Sequence, residues 1–345
     1  MAAQGSAAAG WQLSVRSERH VDALPLRDLG AEHPAEVLEP RSGRNVGYIE
    51  DELRLSRSDG LWRWSLLARQ SASLATDRAT LDLAARAQGR GDATRDQQWQ
   101  ARVRYTQFSG AGVEVGRSFV PAQGLQVVAA AQVLQLQRWR ERTIDGPVQY
   151  AAATGTYSFD LRSHQGDDSK RFPFQQSYAA HGAGLLLHGS VAWEAGAWQL
   201  GAAVRDLGWL HWRGLPQQDL VLSTDTQAVD ADGFVIYQPL VQGQNSQAGT
   251  TRTSSGWWSA RALWALDPQS SLEGSVQTRR GFGLLPALAW RQQLGEVSLL
   301  ARWRVHEQRL TLGLDWRGLS LRYGTDRLDG AAHSRELALV GTLDW

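Results

Sequence analysis

The 345-residue chain has no cysteine, one methionine and one lysine, Lys170. The lack of cysteine excludes a disulfide framework, thiol catalysis and cysteine-based metal centres. No run approaches the ~20 consecutive apolar residues that a membrane-crossing helix needs. The most apolar stretches, Val127–Ala131 and Leu185–Leu187, are broken within a few residues by Gln, His or Gly. Charge of one sign is also missing. The net charge is +1, which gives no overall attraction for nucleic acid, and no nucleic-acid or dinucleotide signature is present. The first ten residues lack the basic start and apolar core of a signal peptide. They read as a disordered or tag-like N-terminus (1–10), a natural signal peptide being expected to have been removed.

What is abundant is tryptophan, 16 residues, with 35 glycines. An indole has an apolar body and one N–H donor, so it suits the boundary between an apolar and a wet phase. Order along the chain sharpens this. Leu337, Leu339, Leu343 and Trp345 alternate with Glu336, Thr342 and Asp344. The same period of two runs through Leu310–Trp316, Leu319–Tyr323 and Val297–Val305. Upstream, Trp258 to Leu266 alternates with Ser259 and Arg261, Trp62 to Ala68 with Arg63, Ser65 and Arg69, and Trp99 to Tyr105 with Arg102 and Arg104. Period two is the mark of strands with one apolar face. Apolar faces that begin or end in an aromatic predict interfacial girdles, here Trp62, Trp64, Trp99, Trp258, Trp264, Trp303, Trp316 and Trp345.

The connections fall into two sets. Ser58-Asp59-Gly60, Ser109-Gly110-Ala111, Glu194–Ala197, Asp267–Ser270, Leu294-Gly295-Glu296 and Arg317-Gly318 read as tight turns. Large loops are expected at 20–46, 73–97, 164–181 and 213–255, with a shorter one at 326–333. Every long link follows an odd-numbered strand, an asymmetry expected of outer-membrane barrels with short periplasmic turns, long extracellular loops and periplasmic termini. Residues 11–345 are therefore expected to form a single all-β, transmembrane, antiparallel up-and-down β-barrel of about sixteen strands, with fourteen the alternative.

The alternating end of the chain resembles the assembly signal of Gram-negative outer-membrane barrel proteins, carried here by Leu339, Gly341, Leu343 and Trp345. It departs from that pattern in the position of its glycine, which usually stands one residue further from the end. Val204-Arg205-Asp206-Leu207-Gly208-Trp209 resembles a strand of fatty-acid-transporter-like barrels. The resemblance implies an outer-membrane location, with the lipid bilayer, lipopolysaccharide and the barrel assembly machinery as partners.

An arginine facing lipid at mid-membrane costs about 2–4 kcal/mol, so the alternation turns the charged residues inward. Arg63, Arg69, Arg102, Arg104, Arg261, Arg302, Arg304 and Arg322 are the expected channel lining. The expectation is a water-filled, Arg-rich pore for small hydrophilic solutes. The alternatives are a wall whose charges pair among themselves, or a scaffold barrel that holds or secretes a protein partner at 213–255. A hydrophobic-substrate transporter would need an apolar lumen near one end, against which the Arg-rich inner face argues. The segment 213–255 carries a strand-like run, Phe234-Val235-Ile236-Tyr237, and four aspartates (Asp219, Asp225, Asp230, Asp232) whose spacing fits no calcium loop. His188, His211 and His306 sit on separate strands without a nucleophile motif beside them. Gly281-Phe282-Gly283 and Gly182-Ala183-Gly184 are too short for phosphate loops. Neither enzyme activity, cofactor nor metal site is expected.

Overall fold

The computed structural model describes residues 10–29, 38–90, 94–172, 181–229, 235–237, 239–279 and 281–344. Its strands are β1 (Gly10–Val21), β2 (Arg44–Asp59), β3 (Trp62–Asp77), β4 (Gln97–Ala122), β5 (Leu125–Ala151) and β6 (Thr156–Asp167). There follow β7 (His181–Ala195), β8 (Trp198–Ser223), β9 (Gln227–Val229), β10 (Val235–Tyr237), β11 (Val241–Ala265) and β12 (Ser270–Arg279). The last five are β13 (Gly283–Leu294), β14 (Val297–Arg304), β15 (Arg309–Trp316), β16 (Leu319–Thr325) and β17 (Ser334–Asp344). One helix, α1 (Arg78–Ala87), is N-capped by Asp77, whose carboxylate accepts from Thr80 N at 2.8 Å.

Strand pairing closes the sheet on itself. The circuit runs β1-β2-β3-β4-β5-β7-β8-β11 and on through β12 to β17, which pairs with β1 from Gly10↔Asp344 to His20↔Ser334. The wall therefore has fourteen strands, the lower of the two expected counts. The difference has two causes. Ser109-Gly110-Ala111 is not a turn: β4 passes straight through it, and the glycine marks a bulge at Ser109/Gly110 against β5. The stretch 146–163 is not a strand of its own either: it straddles the end of β5 and the start of β6.

β6 and β7 share one place in the wall. β7 pairs with the lower parts of β5 and β8, and β6 with their upper parts. The expected loop 164–181 thus leaves the wall partway up, and its residues 173–180 lie outside the description. The expected loop 213–255 is mostly strand: β8 and β11 stay paired up to Leu222↔Val241 and are topped by the small β9–β10 hairpin. There β11 is polar on both faces and β8 carries its apolar residues as the unbroken run Leu220-Val221-Leu222, so alternation could not reveal them. Phe234 lies outside the described residues.

Apolar side chains face outward in a belt. Leu312 is 59% exposed, Leu288 64% and Leu66 61%, while their immediate neighbours along each strand face the lumen. No soluble protein leaves so large a continuous apolar band in water, so the belt is the lipid-facing surface. The tight connections 60–61, 123–124, 196–197, 266–269, 295–296 and 317–318 all lie at one end, with residues 10 and 344. The longer connections lie at the other end, called here the upper end.

Candidate functional site

Inward residues of the lower and middle wall are charged, and at mid-height they meet. Arg279 on β12 and Glu50 on β2 stand seven places apart whichever way round the barrel is counted. Their side chains nevertheless pair at 3.4 Å. A fourteen-stranded barrel with a round section is too wide for one Arg and one Glu to span, so the wall is flattened here. Local sequence explains how. The β12–β13 connection brings Phe282 and Leu285 onto Val46, Tyr48 and Ala75 of β2 and β3. Further down β13 the inward positions are the small residues Ala287 and Ala289, which leave room for the arginines beside them. Arg279 lies over the Tyr48 ring, 4.4 Å from its centre.

Beside this crossing is a buried ionic cluster. Glu18 of β1 receives Arg309 of β15 at 2.8 Å and Arg304 of β14 at 2.9 Å, and the Tyr48 hydroxyl donates to it at 2.8 Å. Arg302 pairs with Glu336 at 2.6 Å. Glu18 and Arg309 are fully inaccessible to water (0%), so side chains fill this part of the lumen. On the other side, Arg69 of β3 grips Asp206 of β8 through two hydrogen bonds, at 2.6 and 2.9 Å. Asp206 has a left-handed backbone (φ 60°), lies at a bulge in the pairing of β8 with β7, and stands opposite Gly256 (φ 66°) of β11. Such a conformation costs an ordinary residue about 1–3 kcal/mol, and here it turns the carboxylate onto Arg69. Below, Glu114 receives Arg54 and Arg63.

Above this crossing lies a chamber of about 990 Å³. Arg102 and Arg104 line it, and no ion pair is formed by either among the described residues. Its base is apolar: Phe108 packs on a cluster of Leu67, Leu134, Leu136, Trp139, Leu186, Leu210, Trp212 and Leu215. An apolar stretch near one end was not expected from the sequence. It escaped notice because the parity of β8 changes at the Asp206 bulge, which turns Leu210 and Trp212 inward. The upper walls are clamped by Glu141, which accepts from Arg252 at 2.7 and 2.8 Å and meets His164 at 3.1 Å. Burial alone would raise the Glu141 pKa, but these partners outweigh it and hold the carboxyl below its ordinary value. The other ring nitrogen of His164 meets Asp219 at 2.7 Å. With a carboxylate on each nitrogen, this histidine has no free position for general-base work.

All eight expected lining arginines lie on inward strand positions, in three settings. Arg63, Arg69, Arg302 and Arg304 are locked in ion pairs at and below the crossing. Arg102 and Arg104 face the upper chamber. Arg261 and Arg322 belong to the lower lumen, lying across Gly201 and Gly313 respectively. Among the expected girdle residues, Trp62, Trp64, Trp264 and Trp316 stand at the lower edge of the belt, and Trp258 and Trp303 at the upper edge, all more than 40% exposed. Trp62 stacks on Trp64, and Trp264 on Trp198. Trp99 instead lies above the belt, with the Arg86 guanidinium of α1 5.6 Å from its ring centre. Leu339 and Leu343 face outward and Gly341 pairs with Leu13 of β1; Trp345 lies outside the described residues. His188 accepts from Asp206 N at 3.2 Å, and His211 meets the Thr251 hydroxyl at 2.8 Å. Missed altogether were Glu18 and Arg309, although the polar face Ser14, Arg16, Glu18, His20 of β1 carried the signal.

No family model matches the chain, and no curated protein matches it. Solved structures that the chain is similar to include three with TM-scores below 0.5. The P. putida toluene transporter TodX is 9% identical with a TM-score of 0.44, over 100% of this chain and 91% of that one. A mutant Rh. blastica porin is 10% identical with a TM-score of 0.29, over 98% and 100%. The outer membrane protease OmpT from Escherichia coli is 6% identical with a TM-score of 0.26, over 97% and 96%. By its own closed antiparallel wall and outward apolar belt, the chain is a β-barrel of the membrane-spanning type.

Proposed function

We propose that this barrel is an outer-membrane channel for small anionic solutes whose lumen rests closed at mid-height. The short-turn end, with both termini, faces the periplasm, and the tall end faces outward. The observation that carries the reading is the Glu50–Arg279 pair across the full width of the lumen, below a chamber whose Arg102 and Arg104 have no carboxylate partner among the described residues. An anion entering the chamber meets those two guanidiniums first. To pass further, it must compete with Glu50 and Asp206 for Arg279 and Arg69. An anion is suited to that exchange, because it offers the same charge-assisted hydrogen bonds as the carboxylate it displaces. The apolar base at Phe108, Trp139 and Leu186 favours a second, narrower reading in which the solute also carries an apolar body.

Single-channel recording in planar bilayers under a salt gradient tests both elements. The native barrel should be mostly silent. The double variant Glu50→Gln with Arg279→Gln should conduct, with a reversal potential favouring anions that weakens when Arg102 and Arg104 become Gln. A large steady conductance in the native protein would refute the closure. A double variant that inserts but stays silent would refute the channel.

A further inference from the structure

The end of β1 and the turn after β14 meet above the closed half of the barrel. There His20, Asp22 and His306 bring two imidazole nitrogens and a carboxylate oxygen within 4.8 Å of one another. We propose that these three residues form a binding site for a divalent transition-metal ion of the zinc type. His20 Nε2 lies 2.9 Å from Asp22 Oδ1, and His306 Nε2 lies 3.3 Å from the same oxygen. A tetrahedral ion with bonds of about 2.0–2.1 Å to nitrogen and oxygen separates its ligands by roughly 3.3 Å, so each imidazole nitrogen already stands near that spacing from the carboxylate oxygen, and the two nitrogens lie within 4.8 Å of each other. Two imidazoles and one carboxylate are a donor set that suits zinc, nickel, cobalt or copper better than calcium or magnesium.

Three further observations separate this cluster from an ordinary buried histidine–aspartate pair. His306 Nε2 is buried near Asp22 yet makes no hydrogen bond. Asp22 is held in place from its other oxygen, which accepts from Val46 N at 2.9 Å, so Oδ1 is presented without needing to move. His306 is still 28% exposed, which leaves an entry path. The competitor is Arg41, whose guanidinium lies 2.8 Å from Asp22 Oδ1. It is about one-third exposed and also donates to His306 O at 2.8 Å, so it can keep that second bond as an ion takes its place on the carboxylate. An ion here would tie β1 to the β14–β15 turn, three to four places away round the wall.

Titration of the purified, detergent-folded full chain with Zn²⁺ by calorimetry, and with Co²⁺ followed by visible absorption, tests the site. One ion per chain is expected, with a Co²⁺ spectrum of low-coordinate nitrogen and oxygen ligation. His306→Gln and Asp22→Asn should each weaken binding by about tenfold or more. His306→Gln lies in a turn, and retained heat-resistant migration in a gel shows that the barrel still folds. Arg41→Ala should tighten binding. Absence of Zn²⁺ binding up to about millimolar, binding unchanged in His306→Gln, or loss of binding in Arg41→Ala would each overturn the proposal.

Discussion

The run from β12 to β17 and the group β4, β5, β8 and β11 use the same alternating pattern to different ends. Strands of the first run are 7 to 12 residues long, enough to cross an apolar layer and little more. Their outward faces are mostly Leu and Trp, and their inward faces mix charged residues with small ones such as Ala287, Ala289 and Gly313. Strands of the second group reach 25 to 27 residues. Only their lower parts carry an outward apolar face. On β5 that face runs to Val133, then changes to Gln135, Arg138, Arg140 and Arg142. Above that line the sense of the wall inverts: the outside is polar, and the inside holds Leu134, Leu136, Trp139, Leu210 and Trp212. The lipid layer lets the lower barrel dispense with an apolar interior. The upper barrel stands in water and must build an interior of its own.

That inversion is most exposed to truncation of Trp212, which is 1% exposed within the upper cluster. Trp212→Ala should destabilise the tall region by about 3–5 kcal/mol, the usual cost of removing a buried indole. Hydrogen exchange should show protection lost in β6 and the upper halves of β5 and β8, with β12–β17 unchanged. Uniform loss around the barrel would mean that the upper region has no separate core. The lipid boundary is tested by a charge swap. Leu312→Arg, at mid-belt on β15, should cost about 2–4 kcal/mol. Arg138→Leu, on the outer face of β5 just above the belt, should stay within about 0.5 kcal/mol. Folding equilibria in lipid vesicles give both values, and similar costs would misplace the boundary.

Much of this division was legible beforehand. Leu310 to Trp316 and Leu337 to Leu343 declare themselves because one face meets lipid and the other meets charge. The tall parts were hidden for a physical reason. Where both faces of β8 and β11 meet water, Gln, Ser, Thr and Asp satisfy either side, and the segment 213–255 reads as loop. Bulges hid more. Gly110 mimics a turn, and the Asp206 bulge reverses parity, so alternation counted past it assigns Leu210 and Trp212 to the wrong face. The crossing of the lumen by Arg279 and Glu50 was beyond reach, because the two are 229 residues apart and meet only once the wall is flattened. His20, Asp22 and His306 are separated in the same way.

The smallest expected effect is the one that most closely isolates the upper region. Glu141 is held below its ordinary pKa by Arg252 and His164, against a burial effect that would raise it. A carboxyl depressed in the folded state contributes stability at pH values above its unfolded value, about 4.3, and that stability is lost as pH falls through the folded value. Acidification from pH 7 to below 4 should therefore loosen β6 and its contacts with β5 and β8, while the belt of β12–β17 holds. Glu141→Gln should reproduce part of the change at pH 7, because an amide accepts less strongly from Arg252. Exchange rates in β6, corrected for the intrinsic effect of pH, are the measurement. If β6 keeps its protection in the variant, then Trp139, Leu215 and their neighbours hold the upper wall without help from the ionic clamp, and the comparison reduces to apolar packing alone.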